Sequence, residues 1–499
     1  MKDNSVDTLR DASGRAYSHN RVSFWLNGKP MLAEIAPAQT TMDFLHHTLQ
    51  LHGTKCSCNE GDCGACTVVV ASAREGKIFY EAVTSCLYNA AKLHGKHLIT
   101  VEGLGTPEAL HPIQQALLEH HGTQCGYCTP GFVMSLFALL ATHAHPTEEE
   151  ILFALEGNLC RCTGYESILE AARDLSQNHA PEQIVPSWCR AVEPEIFAFK
   201  AVMEACEQRG GPLRHCQNYL LPRSLEELAA ITEERKDFTF ITGGTDIMVQ
   251  MNVQRKSFPL LIDLSAIGGL DLICFTREGV RIGANVTYSM LLQSGIVKTD
   301  LPVLHELVKH IASTQIRNFA TLAGNIANAS PIGDTLPLLL AQDASLELWS
   351  AAGERKIPLS EFYLDYRQTA LSQGEILKAV LIPVPRRDVF VRALKAAKRK
   401  AVDISSVVTA VLIETRDEKV VNARLAAGGV AAVPKLSIKF LKAMHNMELQ
   451  GLHAAEIADI VAAEFEPLTD VRGSRECRSK LLRNHVFAYL TEFLDGRRG

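Results

Sequence analysis

Eight of the fourteen cysteines in this 499-residue chain fall into two groups of four with regular spacing. The groups are Cys58-x4-Cys63-x2-Cys66 with Cys86, and Cys125-x2-Cys128 with Cys160-x-Cys162. Four thiolates can hold the two irons of a [2Fe–2S] cluster, and the order C-x4-C-x2-C…C is the plant-type spacing for such a cluster. The two groups therefore predict two clusters that pass electrons one at a time.

Zinc binding is the main alternative for closely spaced cysteines. Structural zinc sites usually pair two C-x(2–4)-C knuckles or add histidines, whereas here three thiolates lie on one loop. Gly61, Gly64 and Ala65 have little bulk, so the backbone can direct N–H groups at inorganic sulfide. Cys56 falls outside the x4-x2 spacing, and we interpret it as a neighbour of the ligands. The pattern favours iron–sulfur clusters over zinc.

Composition places the chain among ordinary multidomain proteins. It is 47% hydrophobic and 21% charged, and 50 basic against 56 acidic residues leave a net charge of −6. This balance, without a basic run, argues against nucleic acid as a partner. The longest apolar stretch, residues 131–141, is shorter than the roughly 18 residues of a membrane span, so no membrane association is expected. The polar first 20 residues lack a signal-peptide pattern, which predicts a reducing, cytoplasmic location without disulfides.

The elements around the first cysteine group read as a small mixed sheet with one helix. Strands are predicted over 22–27, 31–35, 67–71 and 77–83, and a helix over 41–51. From about Leu104 the apolar period changes to helical, with helices predicted over 108–121, 131–143 and 147–156. Thr147 and Glu150 form a capping box before the last of these. We expect the second cysteine group at helix N-termini, whose N–H groups would face the sulfurs.

The second half of the chain contains two candidate cofactor-binding motifs. Residues 176–215 have no clear period and are predicted to be a linker. A helix (224–234) and an apolar strand (238–242) then lead into Gly243-Gly244-Thr245, whose amides could form an anion-binding nest. The small residues of 321–334 let a ligand approach the backbone, and Asp334 can accept from ribose hydroxyls. No G-x-G-x-x-G or G-x-S-x-G motif is present, so neither a Rossmann site nor an α/β-hydrolase site is expected.

With these motifs in view, the chain resembles the xanthine dehydrogenase family. KCSCNEGDCGACTV, QCGYCTPGFVMS, GNLCRCTGY, FITGGTDI and TLAGNIANASPIGD occur in that family's order, and the likeness runs from about Arg21 to about Leu490. The resemblance implies an α+β multidomain protein like the family's small iron–sulfur/FAD subunit. The implied parts are a disordered tail (1–20), a β-grasp ferredoxin-like [2Fe–2S] domain (21–103), a four-helix [2Fe–2S] domain (104–175), the linker (176–215), a vanillyl-alcohol-oxidase-type FAD domain (216–385) and a C-terminal α/β cap domain (386–499).

The resemblance also assigns roles to residues outside the cysteine groups. The residues that match the segment wrapping the FAD pyrophosphate are Phe240, Ile241, Thr242, Gly243, Gly244, Thr245, Asp246 and Ile247. The residues that match a second wrapping motif and further flavin contacts are Thr321, Leu322, Ala323, Gly324, Asn325, Asp334, Leu377 and Lys395. Tyr366 aligns with a tyrosine near the nicotinamide approach, and Gln124 with a glutamine that touches the pterin of the molybdenum cofactor.

Two positions depart from the family pattern. Ile311 stands where the animal members have an aromatic residue against the flavin, and residues 399–403 have lost one acidic residue of the loop near the ring. Both leave open whether NAD+ or oxygen is the preferred acceptor.

The function implied by the resemblance is an electron relay. A large molybdopterin-binding partner would oxidise hypoxanthine or xanthine to urate, in an expected heterotetramer of two small and two large subunits. Electrons would pass through the two clusters to FAD and on to NAD+, so no catalytic residue for the hydroxylation is expected in this chain. Two alternatives remain: the same subunit of a molybdenum hydroxylase for aldehydes or N-heterocycles, and an electron carrier with no turnover. Fusion of the iron–sulfur and flavin parts in one chain favours the xanthine type.

Overall fold

The computed structural model describes residues 21–36, 38–207, 213–216 and 218–496. The predicted disordered tail, residues 1–20, lies outside this range. The chain divides into two compact units, Met1–Gly268 with Ala312–Ala320, and Gly269–Ile311 with Thr321–Gly499. Among the described residues, no helix is both long and apolar enough to cross a membrane. The multidomain α+β class predicted from the sequence is confirmed.

The first unit begins with a mixed five-stranded sheet in the order β2-β1-β5-β3-β4. Asn27 and Gly28, both with positive φ, close the β1–β2 hairpin, as a two-residue turn of this type requires. The short central strand β5 pairs parallel to β1 and was not anticipated from the sequence. The strands are β1 (Arg21–Leu26), β2 (Lys29–Glu34), β3 (Thr67–Arg74), β4 (Lys77–Thr84) and β5 (His97–Ile99). A short helix α1 (Thr41–Asp43) continues into a wide π turn, Phe44–Thr48, where a longer helix was predicted.

A helical bundle follows the sheet. Its central helix α4 is buried along nearly its whole length because the other helices and β3 pack around it. The predicted capping box before α5 is confirmed: Thr147 accepts from the N–H of Glu150, and Glu150 accepts from the N–H of Thr147. The helices are α2 (Val101–Leu104), α3 (Pro112–Glu119), α4 (Thr129–Thr142), α5 (Glu148–Leu155) and α6 (Glu166–Asn178).

The predicted linker, residues 176–215, contains two helices that its sequence pattern did not indicate. The segment contains α7 (Pro181–Ile184) and α8 (Ser187–Glu207), a 21-residue helix that includes Pro194. Contacts with the first sheet stabilise α8: the Trp25 indole donates to Glu195 over 2.6 Å, and the Tyr80 hydroxyl donates to Glu193 over 2.7 Å. Tertiary contacts thus offset the backbone hydrogen bond that a proline removes.

The first unit ends with a four-stranded sheet in the order β6-β7-β9-β8 and helices α9 and α10. Strands β7, β9 and β8 are parallel, and Ser224 caps α9 by accepting from the N–H of Glu227. The elements are β6 (Leu213–Cys216), β7 (Tyr219–Leu221), α9 (Leu225–Glu234), β8 (Thr239–Ile241), α10 (Thr245–Asn252) and β9 (Leu261–Asp263). Ile241, Met248 and Leu261 share one apolar core with the first sheet.

The second unit contains two antiparallel sheets, in the orders β10-β11-β16-β12-β13 and β17-β18-β19-β20, and a small hairpin β14–β15. Its strands are β10 (Ile273–Thr276), β11 (Gly279–Gly283), β12 (Ser345–Ser350), β13 (Gly353–Pro358), β14 (Tyr363–Asp365), β15 (Gln368–Thr369), β16 (Ile376–Ile382), β17 (Phe390–Ala396), β18 (Val407–Arg416), β19 (Lys419–Gly428) and β20 (Lys435–Leu436). Its helices are α11 (Tyr288–Gln293), α12 (Gly295–Asp300), α13 (Pro302–Lys309), α15 (Leu322–Ala327), α16 (Leu336–Ala341), α17 (Ile438–Met444), α18 (Ala454–Ala462) and α19 (Arg475–Asp495); α14 (Thr314–Arg317) belongs to the first unit.

Candidate functional site

The thiols of the first cysteine group come together at one edge of the first sheet. Cys58, Cys63 and Cys66 lie on the loop before β3, and Cys86 lies directly after β4, so the antiparallel pairing of these strands brings Cys86 to the loop. The Cys66 and Cys86 sulfurs are 3.3 Å apart. The N–H groups of Glu60 and Asp62 point at the Cys58 sulfur over 3.5 and 3.3 Å. Convergent thiols with amide donors aimed at sulfur fit a [2Fe–2S] cluster.

The protonation equilibria of these thiols reflect their crowding. Hydrogen bonds from the Cys63 and Cys86 thiols lower the pKa of Cys58, and a hydrogen bond with Cys86 lowers the pKa of Cys66. The same hydrogen bonds, first of all those with Cys58, raise the pKa values of Cys63 and Cys86. An iron cluster is held by four thiolates, so its binding must release the protons that these thiols share.

The second cysteine group lies at the surface end of the helical bundle. Cys128 is the residue before α4, and the Cys125 and Cys162 sulfurs are 3.5 Å apart. The N–H groups of Cys162 and Thr163 point at the Cys160 sulfur over 3.4 and 3.5 Å. Cys160 and Cys162 were expected at a helix N-terminus, but they lie in the loop before α6. The N–H donors to Cys160 therefore come from this loop.

Burial and hydrogen bonds act in opposite directions on two of these thiols. Burial, followed by hydrogen bonding with Cys160, raises the pKa of Cys128 to about 12. Burial also acts to raise the pKa of Cys160, but hydrogen bonds from Thr163 and the N–H of Cys162 lower it to about 7. Cys160 is thus the thiol of this pair that more readily provides a thiolate.

A backbone hydrogen bond joins the two cysteine-bearing loops. The N–H of Leu159, the residue before Cys160, donates to the carbonyl of Cys63 over 3.0 Å. The neighbouring Asn158 side chain donates to the carbonyl of Gly64 over 3.1 Å. Gly64 has φ +66° and lies so close to the second loop that a β-carbon there would overlap the carbonyl of Gly157. The Cys63 and Cys160 sulfurs are therefore connected by a short path that consists of covalent bonds and this one hydrogen bond.

The first of the two predicted flavin segments surrounds the N-terminus of α10. Phe240 and Ile241 end β8, Thr242 follows, and Thr245, Asp246 and Ile247 begin the helix. Gly244 adopts φ +85°, and a β-carbon on Gly243 would overlap the carbonyl of Phe319. Only glycine fits at these two positions, where the backbone passes close to Phe319 and turns into α10.

The second predicted flavin segment lies in the other unit and centres on Asp334. This carboxylate accepts from Lys395 Nζ over 2.8 Å and from the Ser405 hydroxyl over 2.5 Å. Lys395 also donates to the carbonyl of His310, which precedes Ile311. Thr321 caps α15, which contains Leu322, Ala323, Gly324 and Asn325, and the Asn325 side chain accepts from the Thr335 hydroxyl over 3.0 Å. Leu377 is buried in β16, and Tyr366 is exposed at the tip of the β14–β15 hairpin.

Sequence reasoning missed several side chains that organise these sites. Gln315 donates to Ser135 and to Asn158, both over 2.9 Å, and so connects α14 to the loop before Cys160. Arg317 is fully buried and pairs with Glu156 over 2.6 Å. No local pattern in the sequence marks them, because these contacts join positions far apart in the chain. Gln124 is exposed beside Cys125.

Four models of protein families match the chain in succession. The "2Fe-2S iron-sulfur cluster binding domain" matches residues 24–89, and the "[2Fe-2S] binding domain" matches residues 100–173. The "FAD binding domain in molybdopterin dehydrogenase" matches residues 214–385, and the "CO dehydrogenase flavoprotein C-terminal domain" matches residues 392–493. The chain therefore carries two [2Fe–2S] domains and an FAD-binding domain.

Similar proteins include several large oxidoreductases. The chain is 32% identical to xanthine dehydrogenase/oxidase of Rattus norvegicus over 94% of its own length, and 31% identical to xanthine dehydrogenase of Blastobotrys adeninivorans over 98%. It is also 32% identical to aldehyde oxidase 2 of Macaca fascicularis over 95%. It spans 39%, 42% and 39% of the lengths of these relatives, respectively.

Two solved structures share the fold of about half of the chain. CO dehydrogenase from Oligotropha carboxidovorans is 28% identical with a TM-score of 0.52, covering 54% of this chain and 95% of that chain. Quinoline 2-oxidoreductase from Pseudomonas putida 86 is 25% identical with a TM-score of 0.52, covering 56% and 97%. Together with the four family matches in this order, these likenesses fit the iron–sulfur/FAD subunit of the molybdenum hydroxylase family.

Proposed function

We propose that this chain relays electrons from a molybdenum centre on a large partner subunit to NAD+ during the oxidation of hypoxanthine and xanthine. When bound, the two clusters transfer single electrons, and FAD collects two of them and passes a hydride to NAD+. The observation that carries the proposal is the hydrogen bond from the N–H of Leu159 to the carbonyl of Cys63, because it joins the two cysteine loops directly.

The proposed ligands are the two cysteine groups described above. Cys125, Cys128, Cys160 and Cys162 would hold the cluster nearer the partner. Exposure of Cys125, Cys162 and Gln124 supports this order, since a partner's cofactor needs access to that end of the bundle. Cys58, Cys63, Cys66 and Cys86 would hold the second cluster, on the way to FAD. Burial of Cys66 and Cys86 supports an internal step in the relay.

The flavin ligands are proposed from the same motifs as in the sequence. The amides around Gly243 and Gly244 would bind the pyrophosphate, and Asp334 would accept from ribose hydroxyls with Lys395 as its counter-charge. The proposed domains are residues 21–103, 104–175, 216–385 and 386–499, with 176–215 as the connection. Support comes from the family matches, none of which includes residues 174–213.

Xanthine oxidation has a specific rival. The 32% identity to an aldehyde oxidase supports an aldehyde-oxidising complex almost as well as a purine-oxidising one. Because the substrate would bind to the partner, the residues of this chain do not discriminate between them. We favour xanthine because the iron–sulfur and flavin parts are fused in one chain.

The test is a substitution of one ligand in each group within the complete complex. Cys63→Ser and Cys128→Ser should each remove one iron–sulfur EPR signal and stop NADH production, while FAD stays bound. Cys477→Ser, at an exposed cysteine of α19, is the matched control and should change neither.

NADH production that continues in Cys63→Ser would exclude the relay. Turnover of aldehydes but not of hypoxanthine by the unmodified complex would exclude the purine substrate. Equal rates with oxygen alone would exclude NAD+ as the preferred acceptor. Failure of the isolated chain to oxidise NADH with an artificial acceptor would favour an electron carrier with no turnover.

A further inference from the structure

The segment that follows β4, residues 86–93, is connected to both ends of α10. We call it the Cys86 segment, since it begins with a proposed cluster ligand and ends in the helical turn Ala90–Leu93. Asn89 caps this turn by accepting from the N–H of Ala91 over 2.8 Å, so the position of Lys92 is well defined. The Lys92 ammonium donates to the carbonyl of Thr242, the residue before Gly243.

A buried carboxylate holds the Lys92 ammonium in place. Lys92 Nζ lies 3.2 Å from Asp263 Oδ2, with side-chain exposures of 8% and 0%. The Asp263 carboxylate also accepts from the Tyr219 hydroxyl and, over 2.9 Å, from the N–H of Ser265. A buried charge is stable only when it is paired and hydrogen-bonded, so Asp263 keeps Lys92 at this position. The ammonium is thereby aimed at the turn that precedes α10.

The other end of α10 is tied to the same segment. The Asn252 side chain donates to the carbonyl of Cys86 over 2.8 Å and to the carbonyl of Asn59 over 3.2 Å. Between these ends, Met248 packs into the apolar core that contains Cys86 and Leu87. An eight-residue helix is about 12 Å long. The Cys86 segment therefore holds α10 at its beginning, its buried face and its end.

We propose that Lys92 and Asn252 are positioning residues that fix the Gly243–Gly244 turn against the segment bearing Cys86, so that FAD binding and the first cluster are mechanically coupled. The inference rests on the proposed function, in which this turn binds the FAD pyrophosphate. Lys92 fixes the backbone of the turn through its hydrogen bond to the Thr242 carbonyl. Asn252 prevents α10 from shifting along its axis through its hydrogen bonds to the carbonyls of Cys86 and Asn59. Neither residue touches the flavin or a cluster sulfur in this scheme.

The experiment measures FAD affinity and cluster content in the full chain with its partner. Lys92→Met removes the ammonium but keeps the length of the side chain. Loss of one charge-assisted hydrogen bond should raise the dissociation constant of FAD about tenfold, measured by flavin fluorescence, with both EPR signals and the iron content unchanged. Lys92→Arg should restore most of the affinity because it keeps a cation. Lys77→Met, at an exposed position at the start of β4, is the control and should leave FAD affinity unchanged.

Asn252→Leu tests the C-terminal end of α10 independently of the N-terminal end, which Lys92 holds. It should slow the reduction of flavin by the first cluster in rapid-mixing experiments severalfold, while the FAD dissociation constant changes less than in Lys92→Met. An unchanged dissociation constant in Lys92→Met would overturn the inference. So would simultaneous loss of iron and FAD in that variant, because Lys92 would then support the fold in general.

Failure of the proposed site gives a different result. Gly243→Ala places a β-carbon against the carbonyl of Phe319 and should abolish FAD binding. If Gly243→Ala binds FAD as the unmodified chain does, the turn is not the pyrophosphate site, and the proposed function fails at this point. If Gly243→Ala loses FAD and Lys92→Met does not, only the positioning role is wrong.

Discussion

Removing the charge of Arg317 should destabilise the first unit more than any surface substitution. The Arg317 side chain is fully buried, donates to Glu156 over 2.6 Å, to Thr314 over 2.8 Å and to the carbonyl of Ala312 over 2.9 Å, and stacks on Phe153. Burial lowers the pKa of Arg317, and the Glu156 carboxylate opposes that effect. Arg317→Met therefore leaves a carboxylate that is only 15% exposed without its cation.

The magnitude follows from the geometry of this pair. Breaking a buried ion pair by removing one partner costs about 3–5 kcal/mol. At roughly 2 °C per kcal/mol for a unit of this size, the melting temperature should fall by about 6–10 °C. Because a multidomain chain does not melt in one step, the assay should follow the visible absorption of the clusters, which reports on the first unit.

Two comparison variants make the measurement decisive. Glu156→Leu with Arg317→Met removes both charges and should recover a large part of the lost stability. Arg173→Met breaks exposed pairs with Glu148 and Glu166 and should leave the melting temperature nearly unchanged. A shift of less than about 2 °C in Arg317→Met, or a double variant less stable than the single one, would refute the reasoning.

Three further outcomes are expected. Gly64→Ala should lower the iron content of the chain, since a β-carbon there meets the second cysteine loop, whereas Gly76→Ala, also at positive φ but with open space around it, should bind iron normally. A hydrogen bond from Arg355 lowers the pKa of Glu375 from 4.5 to about 2, so the unmodified chain should be more stable than Arg355→Gln above pH 4.5. This difference in stability should vanish as the pH falls to 2, as measured by urea titrations at each pH. Burial lowers the pKa of His485 from 6.5 to about 4, so folding favours the neutral imidazole and the stability should fall as the pH drops from 6.5 to 4. His485→Gln should lose less stability over this pH range in the same titrations.

Local patterns in the sequence were sufficient to predict the modules and their order. The cysteine spacings, the capping box at Thr147 and Glu150 and the strand leading into Gly243 depend on neighbours within a few residues. Such features are encoded by side-chain chemistry and backbone preference alone. The family likeness came from the same short motifs.

Long-range contacts decided what the sequence missed. Helix α8 forms across a proline because Glu193 and Glu195 find partners on the first sheet, and β5 forms because β1 and β3 supply its hydrogen bonds. Both elements depend on residues tens of positions away, so the local hydrophobic pattern does not predict them.

The number and type of sulfur ligands were thus determined by the sequence, because spacing along the chain limits which thiols can share one loop. Their arrangement was decided only by tertiary structure. The meeting of Cys63 with Leu159, and of Lys92 with Thr242, brings together loops that lie far apart in the chain, and Gly64 lies too close to Gly157 for a β-carbon. Burial makes these contacts strong, and burial is a property of the folded chain.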